Sequence, residues 1–338
     1  MGQNELHTTA KALVAAGKGI LAADESSGTI KKRFDVINVE STEENRRNYR
    51  NMLFTTPGLE EYISGVILFD ETIRQTALDG TPFPQLLASK GIIPGIKVDA
   101  GAKPLALAPG ETVTEGLDGL RQRLEEYYGL GARFAKWRAT YSITDSLPSD
   151  YCTWANAHAL ARYAALCQEA GIVPIVEPEV LQDGTHTLAR SSTVTGRVLQ
   201  ALYTELHDQR VDLRGTLLKP NMVLSGYEAS DRAGVDEVAD ATLECFYRHV
   251  PAAVPGIVFL SGGQTDEDAT AHLNAMNAKG PHPWPLSFSY GRALQAAAQK
   301  GWSGTNVEAG QRAFYHRAKM NSAAATGLYA PAMETAVA

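Results

Sequence analysis

Eight short apolar runs, alternating with segments of helical spacing and broken by no linker, constrain this 338-residue chain more than any other feature. The runs are GILAA from Gly19, YISGVILF from Tyr62, IIPGIKVD from Ile92, ARFAKWRATYSI from Ala132, IVPIVEPEV from Ile172, LRGTLLKPNMVL from Leu213, GIVFLSGGQ from Gly256 and PLSFSYGRALQ from Pro285. Between them, leucines such as Leu117, Leu120 and Leu124, or the set Val194, Val198, Leu202 and Leu206, recur at helical spacing. Strand and helix taken in turn predict a parallel sheet, and eight units in one unbroken series predict an α/β fold of the (β/α)8 TIM barrel type, with residues 1–338 as a single domain. A doubly wound open sheet would normally carry G-x-G-x-x-G after its first strand, and GILAAD is not that pattern. A helix over residues 3–16 leads in, and the segment 320–338, which has neither helical nor strand period, reads as a surface arm. Ser41 and Glu44 have capping-box spacing before the helix in ENRRNYRNML, whose charges read as a solvated face.

Composition excludes several functional classes. Apolar residues make up 44% of the chain and charged residues 20%, yet no apolar run approaches the roughly 18 residues of a membrane helix. No contact with a membrane is expected. The net charge of −7 has no basic stripe set against it, so nucleic acid is not an expected partner either. Cys152, Cys167 and Cys245 are odd in number and widely spaced, which fits free thiols in a reducing cytoplasm rather than a disulfide framework or a zinc cluster. The opening MGQNELHTTAKALVAAGKG carries acid and lacks the apolar core of a secretory leader.

In a barrel the carboxyl ends of the strands converge on one face, where sites are built. Here those ends bring together Asp24, Lys97, Lys136, Arg138, Glu177, Glu179, Lys219, Ser261 and Arg292. Lys219 is the one charge in its stretch LLKPNMVL, and Pro220 places it where a strand ends. Alone it reads as a strand-end lysine; beside the second cation Lys136 it reads as an amine that loses its proton readily and attacks a ketone. The resulting imine is an electron sink for cleavage of a neighbouring carbon–carbon bond, with no metal and no cofactor required. Forming it needs proton shuttling, for which Glu177, with a pKa raised by its surroundings, is the candidate, and Glu179 two residues on joins the catalytic carboxylates. Ser261-Gly262-Gly263 and Gly291-Arg292 are glycine-rich turns at the strands where barrels hold phosphate. Lys97 with Ser26 and Thr29 forms a second basic and hydroxyl group on the opposite arc, and Arg138 is counted with the phosphate-binding residues. Two phosphate sites flanking an amine imply a substrate phosphorylated at both ends. The eight histidines show no metal-ligand spacing.

GILAADES, EENRRNYR, GIKVD, FAKWR, IVPIVEPE, LLKPNMV, FLSGGQ and SFSYGRALQ, in this order from Gly17 to Leu328, resemble the successive motifs of the class I fructose-bisphosphate aldolases. The resemblance implies reversible cleavage of fructose 1,6-bisphosphate to dihydroxyacetone phosphate and glyceraldehyde 3-phosphate. It further implies Lys219 as the imine-forming residue, Glu177 as its acid and base, Lys136 as the assisting lysine and Asp24 as the group that takes the C4 hydroxyl proton. Ser261, Gly262, Gly291 and Arg292 match the ketose C1 phosphate site, and Ser26, Thr29 and Lys97 the C6 phosphate side. A metal-free homotetramer is implied as well. Nothing in the sequence fixes the carbon count between the two phosphate sites, so sedoheptulose 1,7-bisphosphate is a candidate second substrate. Family members from animals and plants end on a tyrosine that reaches the barrel mouth, whereas this sequence ends on METAVA and has only Tyr329 in its tail. Thr29 stands where many relatives carry serine, which keeps the hydroxyl. The alternatives are a sugar-phosphate-binding scaffold without turnover on the same barrel, and a metal-dependent aldolase or isomerase, which the absent ligand spacing disfavours.

Overall fold

A computed structural model describes residues 3–335. Eight parallel strands close into a barrel: β1 (Gly19–Ala23), β2 (Ile63–Leu68), β3 (Ile93–Lys97), β4 (Phe134–Tyr141), β5 (Val173–Val180), β6 (Leu217–Leu218), β7 (Ile257–Phe259) and β8 (Leu286–Tyr290). Each strand pairs with its neighbours in sequence, and β1 closes on β8 through Ile20 opposite Ser289 and Leu21 opposite Tyr290. Helices follow the strands, among them Asp150–Glu169, Leu188–Asp208, Val235–His249 and Asp266–Ala278. The outer faces of the strands and the inner faces of the helices make the larger core, from Phe34 and Tyr49 round to Phe314.

A second, smaller apolar cluster fills the barrel itself. Ile20, Ala22, Ile67, Phe134, Val173, Ile175, Leu217 and Val258 point inward, and Leu6, Ala10, Leu13 and Val14 join them from outside the sheet. The first helix, Gln3–Leu13, therefore plugs the barrel at the amino ends of the strands: the Ser64 hydroxyl, where β2 begins, donates to the Leu13 carbonyl at 2.6 Å. Glycine makes this filling possible at two positions. A Cβ on Gly95 would lie 2.3 Å from the Phe134 ring, and one on Gly65 would lie 2.7 Å from the Leu13 side chain. With the amino end filled by apolar side chains, polar groups are left only the carboxyl end.

Several expectations are corrected. The sixth strand is not the full run 213–224: Leu213–Gly215 is a 3-10 turn and only Leu217 and Leu218 are in regular strand. Pro220 has no N–H to give the ladder, although Lys219 N still donates to Val176 O (2.9 Å) and Pro220 O still accepts from Leu260 N (3.1 Å). The Asn221 side chain then takes over, accepting from Val180 N at 3.0 Å. Thr42, not Ser41, caps the helix Glu43–Phe54, through a bond from Asn45 N. The charges of that helix are not all solvated: Arg50 is buried and pairs with Glu25. The lead-in helix stops at Leu13. In place of a loose arm from Met320, the helix Val307–Ala324 continues through that residue, and Tyr329 packs down on the Asp266–Ala278 helix, its N–H bonded to Asn274 Oδ1 at 2.9 Å. An antiparallel hairpin, Ala102–Pro104 with Thr112–Thr114, stands outside the barrel and had no counterpart in the sequence reading.

Candidate active site at the carboxyl ends of the strands

Alternation along three adjacent strands sets the site. On β4 the inward series runs Phe134, Lys136, Arg138; on β5 it runs Val173, Ile175, Glu177, Glu179; on β6 it runs Leu217, Lys219. The apolar members fill the barrel, and the next inward position on each strand is charged. Register places Lys97 beside Lys136 and Arg138 beside Glu177. A cavity of about 860 Å3 opens at this face, and every candidate site residue named above lines it.

At its floor four groups form a chain. Asp24 Oδ2 lies 2.8 Å from Lys136 Nζ; Lys136 Nζ lies 3.2 Å from Glu177 Oε2; Glu177 Oε1 lies 3.1 Å from Lys219 Nζ. Lys136, Glu177 and Lys219 are all buried, and Asp24 is half-buried. Ionised groups survive such burial only when paired, and here each cation has a carboxylate on at least one side. Burial favours the neutral form of Asp24, but Lys136 and Lys219 outweigh it and hold the carboxyl well below its usual range. Lys136 is penalised by burial yet held firmly protonated by Asp24, Glu177 and Asp99. For Glu177 the expectation is reversed. Burial alone would raise its pKa, but Lys136, Lys219 and Arg138 prevail, so the carboxyl lies below its ordinary value. It waits as a carboxylate, a base with an ammonium on either side.

Nearer the mouth, exposed Arg138 is ion-paired to Glu179, and its N–H donates to Asp99 Oδ2 at 3.3 Å. Asp99 Oδ1 also holds Lys97 Nζ at 2.6 Å. On the arc of Lys97, Ser26 caps the helix Ser27–Val36: its hydroxyl accepts from Thr29 N at 3.4 Å and lies 3.1 Å from the Thr29 hydroxyl. On the other arc the turn after β7 has Gly262 at φ 56° and Gly263 at φ 96°, and Gly291 begins the helix Arg292–Trp302. Both arcs thus present helix N-termini or glycine turns to the cavity, the arrangement that favours phosphoryl oxygens. Among the described residues no group of His, Cys, Asp or Glu side chains is placed to hold a metal ion.

Arg33 and Tyr227 also line the cavity and were not among the sequence candidates. Arg33 sits one helical turn beyond Thr29, a spacing that could have flagged it, and pairs with Glu25. Tyr227 lies in a loop with no period, where nothing in the sequence sets it apart. Tyr329 does not line the cavity; its hydroxyl donates to Glu334 Oε1 at 3.0 Å.

A family profile described as fructose-bisphosphate aldolase class-I matches residues 5–338. The chain belongs to the class I fructose-bisphosphate aldolase family. Among its relatives, a probable fructose-bisphosphate aldolase class 1 of Xylella fastidiosa is 60% identical, the match covering 97% of this chain and 99% of that one. A cytosolic fructose-bisphosphate aldolase of Arabidopsis thaliana is 53% identical over 96% of this chain and 84% of that one. The solved fructose-bisphosphate aldolase of Plasmodium falciparum, crystallised with TRAP and a small-molecule inhibitor, superposes with a TM-score of 0.96 at 50% identity, covering 97% of this chain and 95% of that one. As a class I aldolase the chain is a lyase acting on a sugar bisphosphate through the lysine imine general to the class. The fold is the family's single (β/α)8 barrel.

Proposed function

We propose that Lys219 is the residue that forms the imine and that Glu177 moves the protons for it. The observation that carries this reading is the Glu177 carboxylate, buried between the Lys219 and Lys136 ammonium groups at 3.1 and 3.2 Å. Glu177 takes the proton from Lys219 Nζ, freeing its lone pair to add to the C2 carbonyl of the open-chain ketose. The carbinolamine hydroxyl then leaves as water, protonated by Glu177, and the iminium remains. Asp24, an ionised carboxylate against Lys136, takes the proton of the C4 hydroxyl; the C4 oxygen lone pair forms the aldehyde, the C3–C4 bond breaks, and its electrons enter the iminium to give the enamine. The aldehyde leaves first. Return of that proton from Asp24 to C3 of the enamine, followed by hydrolysis of the imine, restores Lys219 and the Asp24 carboxylate and releases dihydroxyacetone phosphate. Lys136 stays an ammonium throughout, holding both groups as carboxylates ready to take a proton and making each a stronger acid once it carries one.

The two phosphate arcs support the bisphosphate substrate: Ser261, Gly262, Gly291 and Arg292 for the phosphate on C1, and Ser26, Thr29 and Lys97 for the one on C6, with Arg138 and Glu179 bordering the path between. The relatives named cytosolic support a cytosolic location, and the family resemblance supports a homotetramer. The test of the imine role is Lys219→Met. It removes the nucleophile and keeps the side chain's bulk, so cleavage falls by about four orders of magnitude or more while fructose 1,6-bisphosphate still binds by calorimetry. A variant that retains a tenth of the wild-type rate contradicts the assignment.

A further inference from the structure

The turn Ser261–Gln264 is closed by one internal bond, from Gln264 N to Ser261 O at 3.0 Å, and its two glycines both have positive φ. A pair of glycines so placed has little intrinsic preference for one peptide orientation. An outside group supplies it: the Tyr227 hydroxyl donates to the Gly262 carbonyl at 2.9 Å. In a trans peptide the carbonyl and the following N–H point in opposite directions, so fixing the Gly262 C=O also fixes the Gly263 N–H. Tyr227 is itself anchored. Its N–H donates to Gln182 O at 2.9 Å, and the Arg232 guanidinium lies over its ring, 5.4 Å from the centroid. Burial pushes its phenol up to about 12 against the pull of Arg292 and Arg232, which keeps the proton that makes the bond. The space at Gly263 shows what converges there: a Cβ would lie 2.9 Å from the Arg292 guanidinium and 3.5 Å from the Tyr227 hydroxyl oxygen.

We propose that Tyr227 is a positioning residue for phosphate recognition, holding the Gly262–Gly263 peptide so that the Gly263 N–H meets a phosphoryl oxygen beside Arg292. The inference rests on the reading of this turn as the site of the ketose C1 phosphate. Tyr227 touches the turn rather than the reacting carbons, so its removal weakens only what the phosphate contributes.

The test compares Tyr227→Phe with wild type in borohydride trapping titrations of two ketones, dihydroxyacetone phosphate and unphosphorylated dihydroxyacetone. The expected result is a roughly three- to tenfold weaker half-saturation for the phosphorylated ketone, the worth of one net hydrogen bond, with no change for dihydroxyacetone. Unaltered trapping of dihydroxyacetone also shows that the variant is folded. Equal weakening for both ketones assigns Tyr227 to general structure and overturns the proposal, as does no change for either. If wild type itself shows no preference for the phosphorylated ketone, the reading of the turn as a phosphate site falls, a result distinct from a wild-type preference that Tyr227→Phe leaves intact.

Discussion

Glu177 shows how residue chemistry depends on neighbours that a strand sequence does not display. Its position in VEPE, inward on a buried strand, points to a raised pKa, and burial does push in that direction. What reverses the sign is the pair of ammonium groups that β4 and β6 bring to its two oxygens, a fact of register rather than of local sequence. The same pairs link the site to acid stability. Asp24 and Glu177 both have folded pKa values below their usual 3.8 and 4.5, so the native state binds fewer protons than the unfolded chain as pH falls. Their stabilisation is fully present above those usual values and is lost as pH drops through the folded ones. Lys136, shifted upward, contributes stability that is present below its usual 10.5 and is lost only as pH rises past its folded value. Urea midpoints will therefore be flat from about pH 6 to 8 and fall below about pH 4. In Asp24→Asn the neutral-pH midpoint is lower and the acid decline is shallower; an acid limb as steep as wild type contradicts the linkage.

At the scale of the element, the C-terminal arm differs most from its sequence. Glu334 gathers it: Arg317 Nη1 lies 2.6 Å from its carboxylate, His316 Nε2 3.0 Å and the Tyr329 hydroxyl 3.0 Å. Arg317 is buried and also donates to the Thr270 hydroxyl at 2.6 Å and the Asp266 carbonyl at 3.1 Å. Glu334→Gln leaves that guanidinium without its counter-charge, so stability falls by roughly 1–3 kcal/mol in chemical denaturation. The cleavage rate stays within a few-fold of wild type, because the cluster lies off the cavity; a loss of several orders of magnitude would place the arm in the chemistry. Periodicity could not show this, since the arm is held by single polar contacts between residues 5 to 55 positions apart. The barrel strands are the opposite case. GILAA, FAKWR and IVPIVEPE were legible because inward apolar positions recur every second residue and turn charged at the carboxyl end. The sixth strand was read too long because proline and the Asn221 side chain end it without a break in apolar composition. Arg50 was read as solvated because its partner, Glu25, lies on another element.

For the molecule as a whole, the plugged amino end of the barrel and the open carboxyl end leave a polar cavity, and the buried charges at its floor are held in ion pairs. The proposed homotetramer is tested by sedimentation equilibrium, which is expected to give about four times the 36.4 kDa chain mass; a single-chain mass at micromolar concentration contradicts it. Of the lysines in the cavity, Lys219 alone is proposed to become covalently attached to substrate. Borohydride reduction in the presence of dihydroxyacetone phosphate, followed by peptide mass mapping, tests it most directly. One adduct is expected, on the peptide containing LLKPNMV, and none on Lys136 or Lys97. An adduct on Lys136 instead, or no adduct at saturating ketone, would contradict it.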